Sequence, residues 1–270
     1  AVVRTVTSCL ISLPSRPCLG AHPIPPKTNE MGVFVDVLDV LLCVYPKQFA
    51  MITYDAGACG LDNANAVVTR SLQYLFCLTA NQPTLLQEAQ RLLARKGPKK
   101  RVAESTDLDG SDVVVRRMYV AELPNGWLDW SHLRTIVRIC CAREDKSSGR
   151  KTVEDRYYIS SLPRERLSSD DWLELIRRRW SVENQNHNTF DTAFTEDDRP
   201  WIMHPQGMLV VMLLRRLTYN LLTFYRAVTL RSERNRAIAW PTLMRTVYKA
   251  LLQVSEEGMA GVRHRFVIAD

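Results

Sequence analysis

The chain has 270 residues, enough for one large domain or two smaller ones with a real core. Hydrophobic residues make up 46% and charged residues 24%, the balance of an ordinary soluble globular protein. A formal charge of +7 and a pI near 9.1 favour a polyanionic partner.

The cations gather at Arg95-Lys96, Lys99-Lys100-Arg101, Arg177-Arg178-Arg179, Arg215-Arg216 and between Arg231 and Arg236. Any one of these clusters reads as a solvated face. Five of them in a basic chain point toward DNA or RNA. The seven cysteines include no C-x-x-C pair and no metal-like spacing, which argues for reduced thiols and a cytoplasmic protein, and against a zinc site or a disulfide framework. Residues 1–26 are broken by Pro14, Pro17, Pro23, Pro25 and Pro26 and make a poor signal peptide. Met208 to Val228 is apolar, but Arg215-Arg216 in its middle favour a core helix over a membrane span.

In chain order, residues 1–26 predict short strands between proline turns, and Lys27 to Leu42 a helix. Gln48 to Tyr54 predicts a buried strand ending at Asp55, Leu61 to Leu72 a helix, and Gln73 to Leu78 a second buried strand closed by Asn81-Gln82-Pro83. Strand, helix and strand in so short a span form a βαβ unit, hence a parallel sheet. Thr84 to Arg95 continues as a helix. From Gly97 to Gly149 the sequence is charged and turn-rich, with strands at Val113 to Val120 and Leu133 to Ala142. It reads as an inserted β region outside the parallel sheet. Arg156 to Leu162 returns to strand, and the segment from Gly207 to Val254 is helical. The domain layout expected is 1–96 as the first part of a core, 97–155 as the insertion, 156–206 as the second part, and 207–270 as a helical region.

Between the insertion and that helical region lies the most informative segment. Ser168-Ser169-Asp170-Asp171 supplies N-capping oxygens and first-turn carboxylates, and a helical pattern runs on through Phe194. Trp172, Ile176, Trp180, Phe190 and Phe194 fall on one face of that helix, with Glu183 in their midst and Arg179 and His187 one turn to either side. An unpaired carboxylate in an apolar setting is costly, so Glu183 needs a cation or ion partner. A Glu183–Arg179 pair on a wet edge satisfies that need as well as a functional site does. Asp55, at the C-terminal end of a strand, stands where open α/β sheets place ligands, or else simply opens the next turn. Two carboxylates brought to one crevice suit Mg²⁺, and two such ions can drive phosphodiester cleavage.

An ordered set of motifs decides between these readings. Tyr54-Asp55-Ala56-Gly57, Tyr74-Leu75-Phe76 with Asn81-Gln82-Pro83, and Arg156-Tyr157-Tyr158-Ile159-Ser160-Ser161-Leu162 come first. Trp180-Ser181-Val182-Glu183-Asn184, His187, Asp191, Phe194 and Glu196-Asp197-Asp198-Arg199-Pro200-Trp201 follow. Together with Lys27-Thr28-Asn29-Glu30, this set resembles the DDE transposases of bacterial insertion sequences, in particular the H-repeat-associated group, over roughly residues 20–250.

The resemblance implies an α/β fold: an RNase H-like core, an inserted β-rich region and a helical C-terminal part. It implies metal-dependent DNA strand cleavage and transfer, with Asp55 and Glu183 as catalytic metal ligands for Mg²⁺ or Mn²⁺. DNA, as transposon ends and target, is then the partner, with a homodimer expected and no membrane. DNA contacts are expected at Arg177, Arg178, Arg179, His187, Lys99, Lys100 and Arg101; His187 alone would equally suit plain packing. The family's first Asp lies on a first core strand ahead of the Lys-Thr-Asn-Glu motif. The residues before Lys27 contain neither Asp nor Glu, and Asp36 and Asp39 lie beyond it. The expectation is therefore a chain without its first core strand and first catalytic Asp, inactive alone or reduced to a non-catalytic DNA-binding remnant. The wider family's Tyr and Lys would fall at Ile176 and Phe190, where neither is kept, and Thr79 stands where relatives often carry Lys.

Overall fold

The computed structural model describes residues 3–13, 15–54, 56–94, 101–110, 112–196, 198, 201–230 and 232–254, apart from the side chains of Asp109, Ser181, Glu183, Asn184 and Gln185. It divides into two units, one of residues 4–6 and 22–180, the other of residues 1–3, 7–21 and 181–270. A two-stranded ribbon, β1 (Thr5–Cys9) with β2 (Cys18–Pro23), contributes to both.

The larger unit is built on a six-stranded sheet. Helix α1 (Phe34–Val44) leads to β3 (Met51–Tyr54), then α2 (Leu61–Thr69), β4 (Gln73–Leu78) and α3 (Pro83–Leu93). Four longer strands follow: β5 (Ala103–Asp109), β6 (Asp112–Glu122), β7 (Thr135–Asp145) and β8 (Lys151–Ser160). Their order is β3-β4-β8-β7-β6-β5. Among the described residues of this sheet only β3 and β4 run parallel, with Met51 opposite Gln73 and Tyr54 opposite Phe76, as the βαβ reading requires. The β-rich region is not separate from this sheet. β8 lies antiparallel on β4, Leu75 opposite Ser160, so the hairpins continue the same sheet outward. Ser160 seals the seam by donating from Oγ to the Tyr74 carbonyl at 2.6 Å.

Alternation along these strands makes two faces. Tyr74, Phe76 and Leu78 of β4, with Tyr157 and Ile159 of β8, pack beneath Ala64 and Val67 of α2 and Leu85, Ala89 and Leu93 of α3. Leu75, Met118, Val137 and Tyr158 on the opposite face pack against Trp172, Leu173 and Ile176 of α4 (Ser169–Ser181). Ser168 caps α4 as the sequence suggests, its Oγ accepting from the Asp171 amide at 3.1 Å. Trp172 is fully buried and donates from Nε1 to the Arg164 carbonyl at 3.0 Å.

Three expectations need correction. β3 is an edge strand among the described residues and all four of its residues are only half-buried, because it pairs with β4 alone. β5, Ala-Glu-Ser-Thr-Asp-Leu-Asp, went unforeseen: its polar composition hides a strand that is held by the register of β6. The single helix through Phe194 is broken. After α4 come a π-helical turn at Val182–His187 and a short α5 (Asn188–Thr192). Trp172 and Ile176 therefore serve the sheet, whereas Phe190 and Phe194 serve the core of the smaller unit.

That second core joins Cys18 of β2, Phe190 of α5 and Phe194 just beyond it, Tyr219 and Leu222 of α6 (Pro205–Phe224), and Leu243 of α8 (Trp240–Leu252), with the short α7 (Glu233–Arg236) between the last two. Asn220 of α6 fixes β2 by accepting from the Cys18 amide and donating to the Cys18 carbonyl, both at 2.7 Å.

Replacing Trp172 by Ala is expected to cost about 3–5 kcal/mol, read as a lower urea midpoint at unchanged slope. A pH effect is expected at His132, whose ring nitrogens meet the Tyr74 hydroxyl at 3.1 Å and Asn65 Oδ1 at 2.7 Å. Burial, then the nearby Arg134 charge, lowers its pKa below the ordinary 6.5. The unfolded chain therefore takes up the proton first as pH falls, so stability declines from 6.5 down through the folded-state value. His132→Gln should reduce that slope in denaturant titrations across the window.

Candidate active site

The turn that follows β3 is held from two directions. Asn81 donates from Nδ2 to the Ala56 carbonyl at 3.0 Å and to the Cys59 carbonyl at 3.1 Å, and Gln82 Nε2 adds a bond to the Cys59 carbonyl at 3.2 Å. Thr79 donates from Oγ1 to Asn81 Oδ1 at 2.8 Å, which orients the amide. Asn63 of α2 holds the Ala58 carbonyl at 3.0 Å. From the other side, Arg179 of α4 donates from Nε to the Tyr54 carbonyl at 3.3 Å, with its guanidinium 5.8 Å from the Tyr158 ring centre. Asp55 itself lies outside the described residues. The carbonyls of its two sequence neighbours are thus both secured by side chains from distant elements, and the Asn81-Gln82-Pro83 motif acquires a structural task.

Glu183 falls within the π-helical turn Val182–His187; its side chain lies outside the description. The turn is anchored at its far end by fully buried Asn186, which donates from Nδ2 to the Arg16 carbonyl at 3.1 Å and to Cys9 Sγ at 3.3 Å. A π-turn widens a helix by one residue and is frequent at functional sites. His187 ends the turn and is exposed.

The expected DNA-contacting arginines already have acceptors within the chain. Arg177 reaches Asp107 at 2.9 Å and Glu174 at 3.5 Å, Arg178 reaches Glu174 at 3.0 Å, and Arg101 reaches Glu104 at 2.7 Å. All of these pairs are partly wet, so phosphate could displace the acids at small cost. Lys99 and Lys100 lie outside the described residues. Asp39 is engaged elsewhere: Arg70 holds both of its oxygens, at 2.6 and 2.8 Å. Among the described residues no group of three or more His, Cys, Asp or Glu is placed to hold a metal ion.

Arg215-Arg216 change meaning altogether. Read as part of a surface charge pattern, they are 5% and 6% exposed. Arg216 Nη1 meets Glu196 Oε1 at 2.6 Å and its Nη2 meets Thr7 Oγ1 at 3.0 Å, while the Arg215 guanidinium lies 5.1 Å from the Trp201 ring centre. Glu196 and Trp201, the two ends of that motif, are therefore met by these two arginines. The acid that holds Arg216 stands 20 residues upstream, a pairing that chain spacing alone does not signal.

No family model matches the chain. Two proteins of Escherichia coli (strain K12) match it at 26% identity over 208 residues, 73% of this chain: "Putative protein YbfL" and "H repeat-associated putative transposase YhhI". The chain is thus similar to a protein named as H-repeat-associated. It spans about half the length of these relatives, 52% and 53%. Among solved structures, the piggyBac transposase synaptic complex with hairpin DNA aligns with 94% of this chain and 48% of its own, at a TM-score of 0.45 and 11% identity.

If Asn81 holds the turn, Asn81→Ala should cost about 1–2 kcal/mol in stability. Amide hydrogen exchange should accelerate at residues 56–60 and stay unchanged in β7.

Proposed function

We propose that this chain is a transposase polypeptide of an insertion sequence, built on an RNase H-like core and acting by the DDE mechanism. It would hydrolyse a DNA strand at the element's end and transfer the freed 3′-hydroxyl to target DNA, in a bacterial cytoplasm. The observation that carries this reading is the pair of held carbonyls on either side of Asp55. Side chains of Asn81, Gln82, Asn63 and Arg179 together fix the backbone around that position, which is the positioning a catalytic carboxylate needs. The relative named as a transposase belongs to the same group as the motif set.

Asp55 and Glu183 offer hard oxygen donors from separate elements, which is the donor chemistry of Mg²⁺ or Mn²⁺. A bound ion there would polarise the attacked phosphate and activate water or a 3′-hydroxyl. The remaining work belongs to the chain itself. Arg179 sets the position of the strand end, Arg177 and Arg178 can exchange Asp107 and Glu174 for phosphate oxygens, and exposed His187 can donate to another. Arg101, with Lys99 and Lys100, gives a second basic stretch in the β-rich region.

The motif set assigns two carboxylates within these 270 residues, Asp55 and Glu183. The second reading is a DNA-binding remnant without catalysis. On either reading the polypeptide is expected to bind DNA. Log affinity should fall with log salt by about 0.9 for each phosphate contacted, and the Arg177→Ala/Arg178→Ala variant should reduce that slope by about 1–2. A form carrying all three carboxylates should nick element-end DNA only with Mg²⁺ or Mn²⁺, and lose nicking on Asp55→Ala or Glu183→Ala. Metal-dependent nicking retained by the double variant would sink the DDE assignment. Salt-sensitive binding without nicking in every form would leave the remnant.

A further inference from the structure

The ribbon of β1 and β2 carries two cysteines that the proposed chemistry leaves unused. The Leu10 amide donates to the Pro17 carbonyl at 2.9 Å, which sets Cys9 opposite Cys18 in the next pair of the ribbon. The Cys18 amide and carbonyl both turn to Asn220, away from β1, so Cys9 and Cys18 form a non-hydrogen-bonded pair. In such a pair the Cα atoms lie about 4.5 Å apart and the side chains are at their closest. That separation is within the range, roughly 4.4–6.8 Å, that a disulfide spans. Both residues are free thiols, and they hydrogen-bond to each other.

Their surroundings make the two sulfurs unequal. The hydrogen bond from Cys9, helped by the charge of Arg216, holds the Cys18 thiol below its ordinary 9.0 against the opposing effect of burial. The same hydrogen bond, then burial, pushes Cys9 up, so Cys9 keeps its proton. Arg216 is kept beside the ribbon by Thr7, to whose Oγ1 it donates from Nη2 at 3.0 Å; Thr7 lies two residues before Cys9 and on the same face. Elsewhere burial pushes Cys59 up to about 12 and raises Cys140. A thiolate beside a cation, with a protonated thiol in reach, is the arrangement of an oxidisable pair.

The pair also bears on the turn that carries Glu183. Cys9 Sγ accepts from Asn186 Nδ2 at 3.3 Å, one of the two bonds by which this fully buried side chain anchors the π-turn. A disulfide brings its sulfurs to about 2.05 Å, which draws Cys9 Sγ toward Cys18 and away from Asn186.

We propose that Cys9 and Cys18 are a site of oxidation by peroxide, and that their disulfide releases one of the two Asn186 bonds that anchor the π-turn. The Cys18 thiolate attacks one oxygen of hydrogen peroxide, the O–O bond breaks, and Cys18 becomes a sulfenic acid. The departing hydroxide takes up the proton that Cys18 had shed. The Cys9 sulfur then attacks Cys18 Sγ, the S–O bond breaks, and the second hydroxide leaves with the Cys9 proton as water. Two thiols are oxidised to a disulfide and one peroxide is reduced to two waters. The inference does not rest on the DNA chemistry proposed above.

The test treats the whole chain with a molar equivalent of hydrogen peroxide, then denatures it and alkylates with iodoacetamide. Trypsin leaves the Arg16–Pro17 bond intact, so residues 5–27 form one peptide holding both cysteines. That peptide is expected to escape alkylation, to be lighter by two hydrogens, and to recover both thiols with dithiothreitol, while exposed Cys43 is alkylated in full. Cys9→Ser should stop the reaction at a Cys18 sulfenic acid that dimedone traps, and Cys18→Ser should leave Cys9 reduced. Amide exchange at residues 182–187 should accelerate by roughly two- to tenfold on oxidation, the effect of one lost hydrogen bond, and return with dithiothreitol. Full alkylation of residues 5–27 while Cys43 is oxidised would overturn the proposal, as would a disulfide that leaves exchange at the π-turn unchanged. These readouts need neither DNA nor metal, so failure here is separable from failure of the catalytic reading.

Discussion

The structure depends most on the satisfaction of backbone carbonyls at the end of β3. A carbonyl that leaves a sheet must find another donor or water. Here Tyr54, Ala56, Ala58 and Cys59 find side-chain donors from α4, from the β4–α3 loop and from α2. Each donor sits on an element whose own place is set by the two apolar layers of the sheet. Trp172 and Ile176 seat α4, and Tyr74, Phe76 and Leu78 seat β4. Packing energy in the core is thereby converted into precision at one turn. A short edge strand could not supply that precision alone.

The break after α4 follows the same logic in the smaller unit. One continuous α-helix would carry Phe190 and Phe194 onto the face that Trp172 occupies. The π-turn at Val182–His187 re-phases the chain, so that these rings pack on Tyr219 and Trp240 instead, with Phe190 and Tyr219 5.1 Å apart and Tyr219 stacked at 5.2 Å on Trp240. Buried Asn186 fixes the turn through two hydrogen bonds to the β1–β2 hairpin. The residue proposed as the catalytic Glu thus lies in backbone whose geometry is imposed by contacts on both sides of it.

Much of this was legible in the chain. The alternation around Tyr74-Leu75-Phe76, the Gly-rich turn after Asp55 and the short crossover made the βαβ unit readable, because local periodicity carries that information. The α/β class, with a β-rich addition and a helical C-terminal part, is what is observed. β5 escaped notice because its strand character comes from its partner rather than from its residues. The π-turn escaped because one extra residue per turn leaves no mark in composition. Arg215-Arg216 were misread because their partner, Glu196, is set by tertiary packing. The motif Asn81-Gln82-Pro83 was visible as a motif, yet its work as a clamp on two carbonyls needed the fold.

The proposed function requires Asp55 and Glu183 to serve one metal site. Manganese binding to the folded chain, followed by electron paramagnetic resonance for wild type, Asp55→Asn, Glu183→Gln and the double variant, tests it most directly. A shared site predicts that either substitution weakens binding by a similar factor and that the double variant is little worse than each single one, since both act as a unit. Undiminished manganese binding in the double variant, or two fully additive losses, would contradict it.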